Sequence, residues 1–166
     1  GLGTRGQGLK SRVVGGARVG GMAGVIRMYD LRAATDDDYG FLYGVLVATM
    51  KEYVERTWGW DEADQRERFR NKFRPEDYQV IVVDGRDVGV TSVVERADEL
   101  FLAEIQITPE SQNLGLGTAV VQDVMREAER RGLPVALQVL KTNPARRLYE
   151  RLGFQVNGET DTHFQM

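Results

Sequence analysis

Gln112-Asn113-Leu114-Gly115-Leu116-Gly117 is the stretch that decides how this chain is read. A strand-like run, Leu100 to Ile107, precedes it, and a helix-like run from Thr118 to Arg131 follows. Glycines at the opening of a helix let backbone N–H groups crowd toward one point. The first amides of a helix lack partners within it, and the helix dipole adds positive potential there, so the stretch reads as an anion site. A diphosphate-bearing cofactor is the ligand it suggests. A glycine-rich turn that merely joins strand to helix is the alternative.

Other phosphate-binding patterns fit poorly. The dinucleotide fingerprint needs a third glycine, and Gly115-Leu116-Gly117-Thr118-Ala119-Val120 lacks it, which speaks against an oxidoreductase. No Gly-Lys-Ser/Thr tripeptide closes a P-loop. The hexapeptide instead fits Gln/Arg-x-x-Gly-x-Gly/Ala after a strand. A second segment, Asn143-Pro144-Ala145-Arg146-Arg147-Leu148-Tyr149-Glu150-Arg151-Leu152-Gly153-Phe154, follows the strand-like Pro134 to Leu140. It is similar to an Asn…Ala-x-x-x-Tyr-x-x-x-Gly-Phe pattern. In this order and separation the two motifs resemble those of the GNAT superfamily of N-acetyltransferases. The resemblance covers roughly Arg32 to Met166 and is strongest from Leu100 to Phe154.

That resemblance implies an α+β fold, a three-layer α/β sandwich around a mixed sheet of about seven strands. It also implies a V-shaped split between strands 4 and 5, and direct acetyl transfer from acetyl-CoA to an amine. The pantetheine arm would pair with backbone of Ile105 and Ile107, the Ile105 amide donating to the thioester oxygen. The pyrophosphate would rest on the N–H groups of Leu114, Gly115, Leu116, Gly117 and Thr118. Gln112 stands where the family often has arginine. Asn143 matches a side chain that binds the pantetheine arm, and it also suits an Asx turn before Pro144. Tyr149 matches the residue that protonates the departing thiolate; Ala145, Leu148, Tyr149 and Leu152 also form one stripe, so packing is its other role. Glu104 is the expected base, with His163 the second candidate. Strand alternation puts Leu102, Glu104, Gln106 and Thr108 on one face.

The acceptor is expected between the first two helices and the last hairpin. Trp58 and Trp60 would wall it for an apolar or cationic group, with Asp61 and Glu62 holding an ammonium and His163 a further contact; Asp61 also reads as a helix N-cap. The Gly59-Trp60-Asp61 segment looks like that of a subset of small bacterial-type GNAT proteins. A small-molecule primary amine is the expected acceptor. A protein N-terminus or lysine, a longer acyl donor, and a non-catalytic acyl-CoA-binding or regulatory module are the alternatives. A homodimer is possible.

Composition agrees with one domain. The chain has 166 residues and 42% hydrophobic content. It has no cysteine, which excludes disulfides, thiolate metal sites and a cysteine nucleophile. No metal site is expected, no run is long enough for a membrane span, and a cytoplasmic location is compatible. Net charge is −3, but residues 1–27 carry Arg5, Lys10, Arg12, Arg18 and Arg27 and no acid, so the remaining 17 basic and 25 acidic residues leave about −8. An acidic body argues against a nucleic-acid surface. Residues 1–27 also hold nine of the 19 glycines and read as a flexible tail ahead of a 28–166 domain.

The expected elements are a strand at Met28–Ala33, a helix from Asp36 to about Trp58 and another from Asp61 to about Phe73. Strands follow at Tyr78–Val83, Val88–Glu95 and Leu100–Ile107. A helix runs to Arg131 with Gly132 as its cap, then a strand at Pro134–Leu140 and a helix at Pro144–Leu152. A last hairpin is expected from Phe154–Asn157 and Asp161–Met166.

Overall fold

A computed structural model of the chain describes residues 28–166; the segment read as a tail lies outside them. Among the described residues, seven strands and four α-helices follow one another in the expected order. They are β1 (Asp30–Ala33), α1 (Tyr39–Trp58), α2 (Glu62–Lys72), β2 (Gln79–Val83), β3 (Arg86–Glu95), β4 (Leu100–Ile107), α3 (Leu116–Arg130), β5 (Val135–Leu140), α4 (Arg146–Arg151), β6 (Gly158–Glu159) and β7 (His163–Gln165). The sheet runs β1-β2-β3-β4-β5-β7-β6, with β4 and β5 parallel and every other neighbour pair antiparallel.

The β4–β5 seam is what makes the fold useful. The two strands pair only at Leu100 with Val135, Phe101 with Ala136 and Leu102 with Leu137. Beyond Leu102 they part, and β5 continues by pairing with β7 instead. The expected split is therefore present. A register shift accompanies it: Ser92 of β3 faces Glu104, but the next residue, Val93, faces Leu102, so Ala103 is an inserted residue, a β-bulge.

The bulge overturns the alternation expected for β4. Leu102 and Ile105 both pack with Val121 of α3, whereas Glu104 and Gln106 face the opposite layer beside Leu42 of α1 and Phe69 of α2. One extra residue changes the phase of a period-two pattern, so Leu102 and Glu104 lie on opposite faces.

Two apolar layers hold the sheet. On one side Val121, Leu137, Val139, Tyr149 and Met166 form a buried cluster, continued by Leu116 and Val120 beneath Ile81 and Val88. On the other, Leu42 and Val45 pack on Val80 and Val90, with Phe69 and Phe73 closing the edge. Tyr39, Tyr43, Phe69, Phe73 and Tyr78 form a chain of ring contacts 5.3 to 6.1 Å apart, which docks the otherwise polar α2.

Some boundaries differ from expectation. Asp36–Asp38 forms a 3-10 turn, and α1 starts at Tyr39. Arg32 grips the Asp38 carboxylate through two nitrogens at 2.9 and 2.7 Å, and Thr35 N–H also donates to it, so these acids make a pinned entry turn. The last hairpin is shorter and later than Phe154–Asn157 with Asp161–Met166. Gly153 takes φ +97 and Phe154 N–H returns to the Tyr149 carbonyl, so that segment serves to close α4 and pack Phe154 on Tyr149.

Candidate active site

Two clefts meet on β4. The first is the gap between the parted strands. Thr108 N–H donates to the Val88 carbonyl at 2.8 Å, toward β3. Alternation sends the backbone groups of Ile105 and Ile107 the other way, into the gap. The Gln112 side chain donates to the Ile107 carbonyl at 2.8 Å. Gln112 thus ties the loop to the strand end.

The loop after β4 presents a cluster of free donors. Asn113 and Gly115 both take positive φ, +62 and +82, which turns the chain sharply into α3. The first return bond is Ala119 N–H to the Gly115 carbonyl at 3.0 Å. None of the amides of residues 113–118 donates to another group among the described residues. Gly117 lies close to its neighbours: a Cβ there would sit 3.5 Å from Ile107 Cδ1 and 3.8 Å from Leu148 Cδ2. Leu114 is 70% exposed at the tip. These features fit a phosphate-tailed ligand whose arm runs along β4.

Asn143 forms the Asx turn: its Oδ1 accepts from Ala145 N–H at 2.9 Å. Its Nδ2 reaches the Met50 thioether at 3.8 Å. Thr142 beside it bonds the Tyr53 carbonyl and Thr57, so the loop after β5 is fastened to α1.

Tyr149 is only 8% exposed and packs in the α3-side cluster, with Phe154 edge-on at 5.9 Å. Its hydroxyl has no hydrogen-bond partner among the described residues. Burial, reinforced by the charge of Glu104, pushes its pKa up to about 12. The phenol therefore keeps its proton throughout the physiological range.

The second cleft, about 740 Å³, lies on the opposite face of β4, under α1 and α2. Leu42, Leu46, Val54, Phe69, Tyr78 and Val90 supply its apolar wall. Glu104 and Gln106 stand on its β4 side, where Gln106 Nε2 donates to Glu104 Oε2 at 2.9 Å. Burial pushes the Glu104 pKa up to about 7 against the opposing pull of Lys72 and the Gln106 hydrogen bond. Tyr78 feels burial and then the same carboxylate, and is pushed to about 12.

Trp58, Trp60 and Asp61 line the outer part of this cleft. Asp61 Oδ1 caps α2 by accepting from Asp64 N–H at 2.8 Å. His163 is absent from the cavity wall. It packs against Trp58, ring centroids 6.0 Å apart, and its Nδ1 shares a 2.8 Å hydrogen bond with Thr162. Burial lowers its pKa. The structure thus gathers Glu104, Trp58, Trp60 and Asp61 around one cavity and sets His163 behind it. Tyr78, Gln106 and Lys72 are cavity residues that sequence reasoning did not single out. Only Gln106, two residues from Glu104 on a strand, carried a signal.

Among the described residues, no group of three His, Asp or Glu side chains could hold a metal ion, and no helix is long and apolar enough to cross a membrane.

A sheet opened over half a seam, with a free helix N-terminus on one side and a carboxylate-bearing cavity on the other, defines a two-substrate transferase in class. The acetyltransferase (GNAT) family model matches residues 46–154, and the chain belongs to that family. Family members use acetyl-CoA. The fold superimposes on PaiA N-acetyltransferase from Thermoplasma acidophilum, solved in complex with coenzyme A, with a TM-score of 0.69, 17% identity, and 83% of this chain and 96% of that one covered. The ribosomal-protein-S18-alanine N-acetyltransferase from Escherichia coli matches with a TM-score of 0.57 and 23% identity over 83% of this chain and 89% of that one. Both likenesses are of fold. Over 66 residues, 39% of this chain, the sequence is 41% identical to the 5-NmdU N-acetyltransferase of Pseudomonas phage PaMx11, and the match spans 46% of that relative's length.

Proposed function

We propose that this chain transfers an acetyl group from acetyl-CoA directly to a primary amine of a small molecule. One observation carries the reading: the parted edge of β4 and the Glu104 cavity meet at consecutive residues. Glu104 faces the cavity and Ile105 presents its backbone to the gap. A nucleophile in one cleft and a thioester in the other would therefore approach each other through the split.

In this reading the free amides of residues 113–118 hold the pyrophosphate, and Ile105 and Ile107 hold the pantetheine arm. Bound there, acetyl-CoA supplies an acetyl group activated as a thioester, whose C–S bond breaks as the new N–C bond forms. The Ile105 N–H is poised to meet the developing oxyanion, a contribution of roughly 2.7–4 kcal/mol. Glu104 takes the proton that the attacking amine must lose. A carboxylate with a pKa near 7 is a far better base at neutral pH than one near 4.5. Tyr149 offers its hydroxyl hydrogen on the side of the departing sulfur. With its pKa near 12 it stays protonated and acts as a hydrogen-bond donor to the departing thiolate, which takes up its proton from solvent.

The small-molecule acceptor is supported by a half-open cavity with an apolar inner wall, of a size suited to a ligand of a few hundred daltons. The 5-NmdU N-acetyltransferase relative also supports it. The test is mass spectrometry of an amine panel incubated with acetyl-CoA. Acetylated product that depends on Glu104 and Tyr149 is expected. Coenzyme A binding with no transfer to any amine would favour a binding module.

A further inference from the structure

Resting on that reading, we infer that the acceptor carries its amine on a flat, π-rich ring, an aryl- or heteroaryl-methylamine in shape, with the ring against the indoles of Trp58 and Trp60 and the amine at Glu104.

The observation is an outer cavity built of rings whose carboxylates are already engaged. Trp58 is the last residue of α1 and is 60% exposed although it lines the cavity. An indole left in water at a cavity wall is a binding surface in waiting. Gly59 takes φ +83, ψ 166, a conformation that suits glycine, and this reversal brings Trp60 to the same cavity two residues later. Both indoles are held in place. His163 packs on Trp58. Trp60 Nε1 donates to Glu62 at 2.9 Å, with Lys51 5.8 Å from its ring centroid. Fixed rings offer contact area at little entropic cost.

The charges around the rings decide between a neutral ring and a second cation. Asp61 caps α2. Asp64 pairs with Arg68 at 2.7 Å. Glu62 accepts from Tyr43, Trp60 and Arg66. Each of these carboxylates already accepts from the protein, so a distal ammonium would have to share an engaged acceptor. The one cavity-lining ionic side chain without an ion pair or hydrogen bond among the described residues is Lys72, itself a cation. Lys72 acts on Glu104, at the reacting end of the cavity, and so bears on any amine placed there; at the outer end an aromatic ring with a single amine needs no second anion.

The test compares three amines with matched reach: benzylamine, cyclohexylmethylamine and 1,5-diaminopentane, each with acetyl-CoA. Ring stacking beyond area burial, about 0.5–1.5 kcal/mol, corresponds to a preference of roughly 2- to 12-fold in kcat/KM for the aryl over the saturated ring. That ratio is expected to fall to about one in Trp58→Leu and to survive in Trp58→Phe. Binding is read separately: benzylamine added to the coenzyme A complex should quench indole fluorescence in Trp60→Phe, whose only indole is Trp58, more than cyclohexylmethylamine does. Equal use of the two rings, a ratio untouched by Trp58→Leu, or preference for the diamine would overturn the inference while leaving amine acetylation standing. Quenching of Trp58 by the aryl amine with no product from any amine would sustain the ring site and overturn the transferase reading instead.

Discussion

Glu104 concentrates the chemistry at the residue scale. Glu104→Gln is expected to lower kcat/KM on the order of 100-fold and to abolish the rise in rate toward pH 7. The acceptor's own ammonium titration appears in both enzymes, so the difference between the two pH profiles isolates the carboxyl. The same group destabilises the fold in alkali. Folded, it keeps its proton to about pH 7; its ordinary value is 4.5. Between those values the native state binds more protons, so stability falls as pH rises, by at most about 3 kcal/mol. Urea unfolding should therefore find Glu104→Gln more stable than the parent at pH 8 and equal to it below pH 4.5. Tyr149→Phe should lower kcat well over tenfold with little change in acetyl-CoA affinity; unchanged turnover would remove Tyr149 from the mechanism. Glu104 and Tyr149 were legible as candidates because a motif and a strand position flagged them. Tyr78 and Lys72 were not, because a cavity assembled from four elements leaves no local spacing in the chain.

Elements were legible where a local cause sets them. Leu100–Ile107 is found as read from its apolar run, and Asp61 caps α2 as its side chain and position suggest. The hairpin at the end was misplaced because Gly153 and Phe154 are claimed by the closure of α4, a contact five residues back that outweighs strand propensity. The entry to α3 belongs to this scale too. Gly115 sits at φ +82, where a Cβ costs roughly 1–2 kcal/mol. Gly115→Ala should lower the melting temperature by a few degrees. Calorimetry should also show weaker coenzyme A binding, since the turn orients the free amides, with the acceptor KM unchanged.

Across the whole molecule the fold is two half-sheets joined by three residue pairs, Leu100, Phe101 and Leu102 with Val135, Ala136 and Leu137. Family resemblance gave this topology. The asymmetry of its two layers was not readable, since it turns on a register shift that no composition records. Hydrogen exchange offers a direct measurement. The amides of Ile105 and Ile107 should exchange quickly in the free protein, and those of Gln106 and Thr108, committed to β3, slowly. Saturating coenzyme A should slow the first pair selectively.

Ala103 has a side chain of one methyl group and no reactive atom, yet the layers keep their division of labour only while that residue bulges out of the pairing. Excise that residue and Leu102 and Glu104 become consecutive partners of Val93 and Ser92, so the strand runs unbroken with the acid still among the acceptor's walls and Ile105 still in the grease. Only drawing Ala103 into regular pairing would exchange the enzyme's two sides, whereas deleting or substituting it leaves them alone.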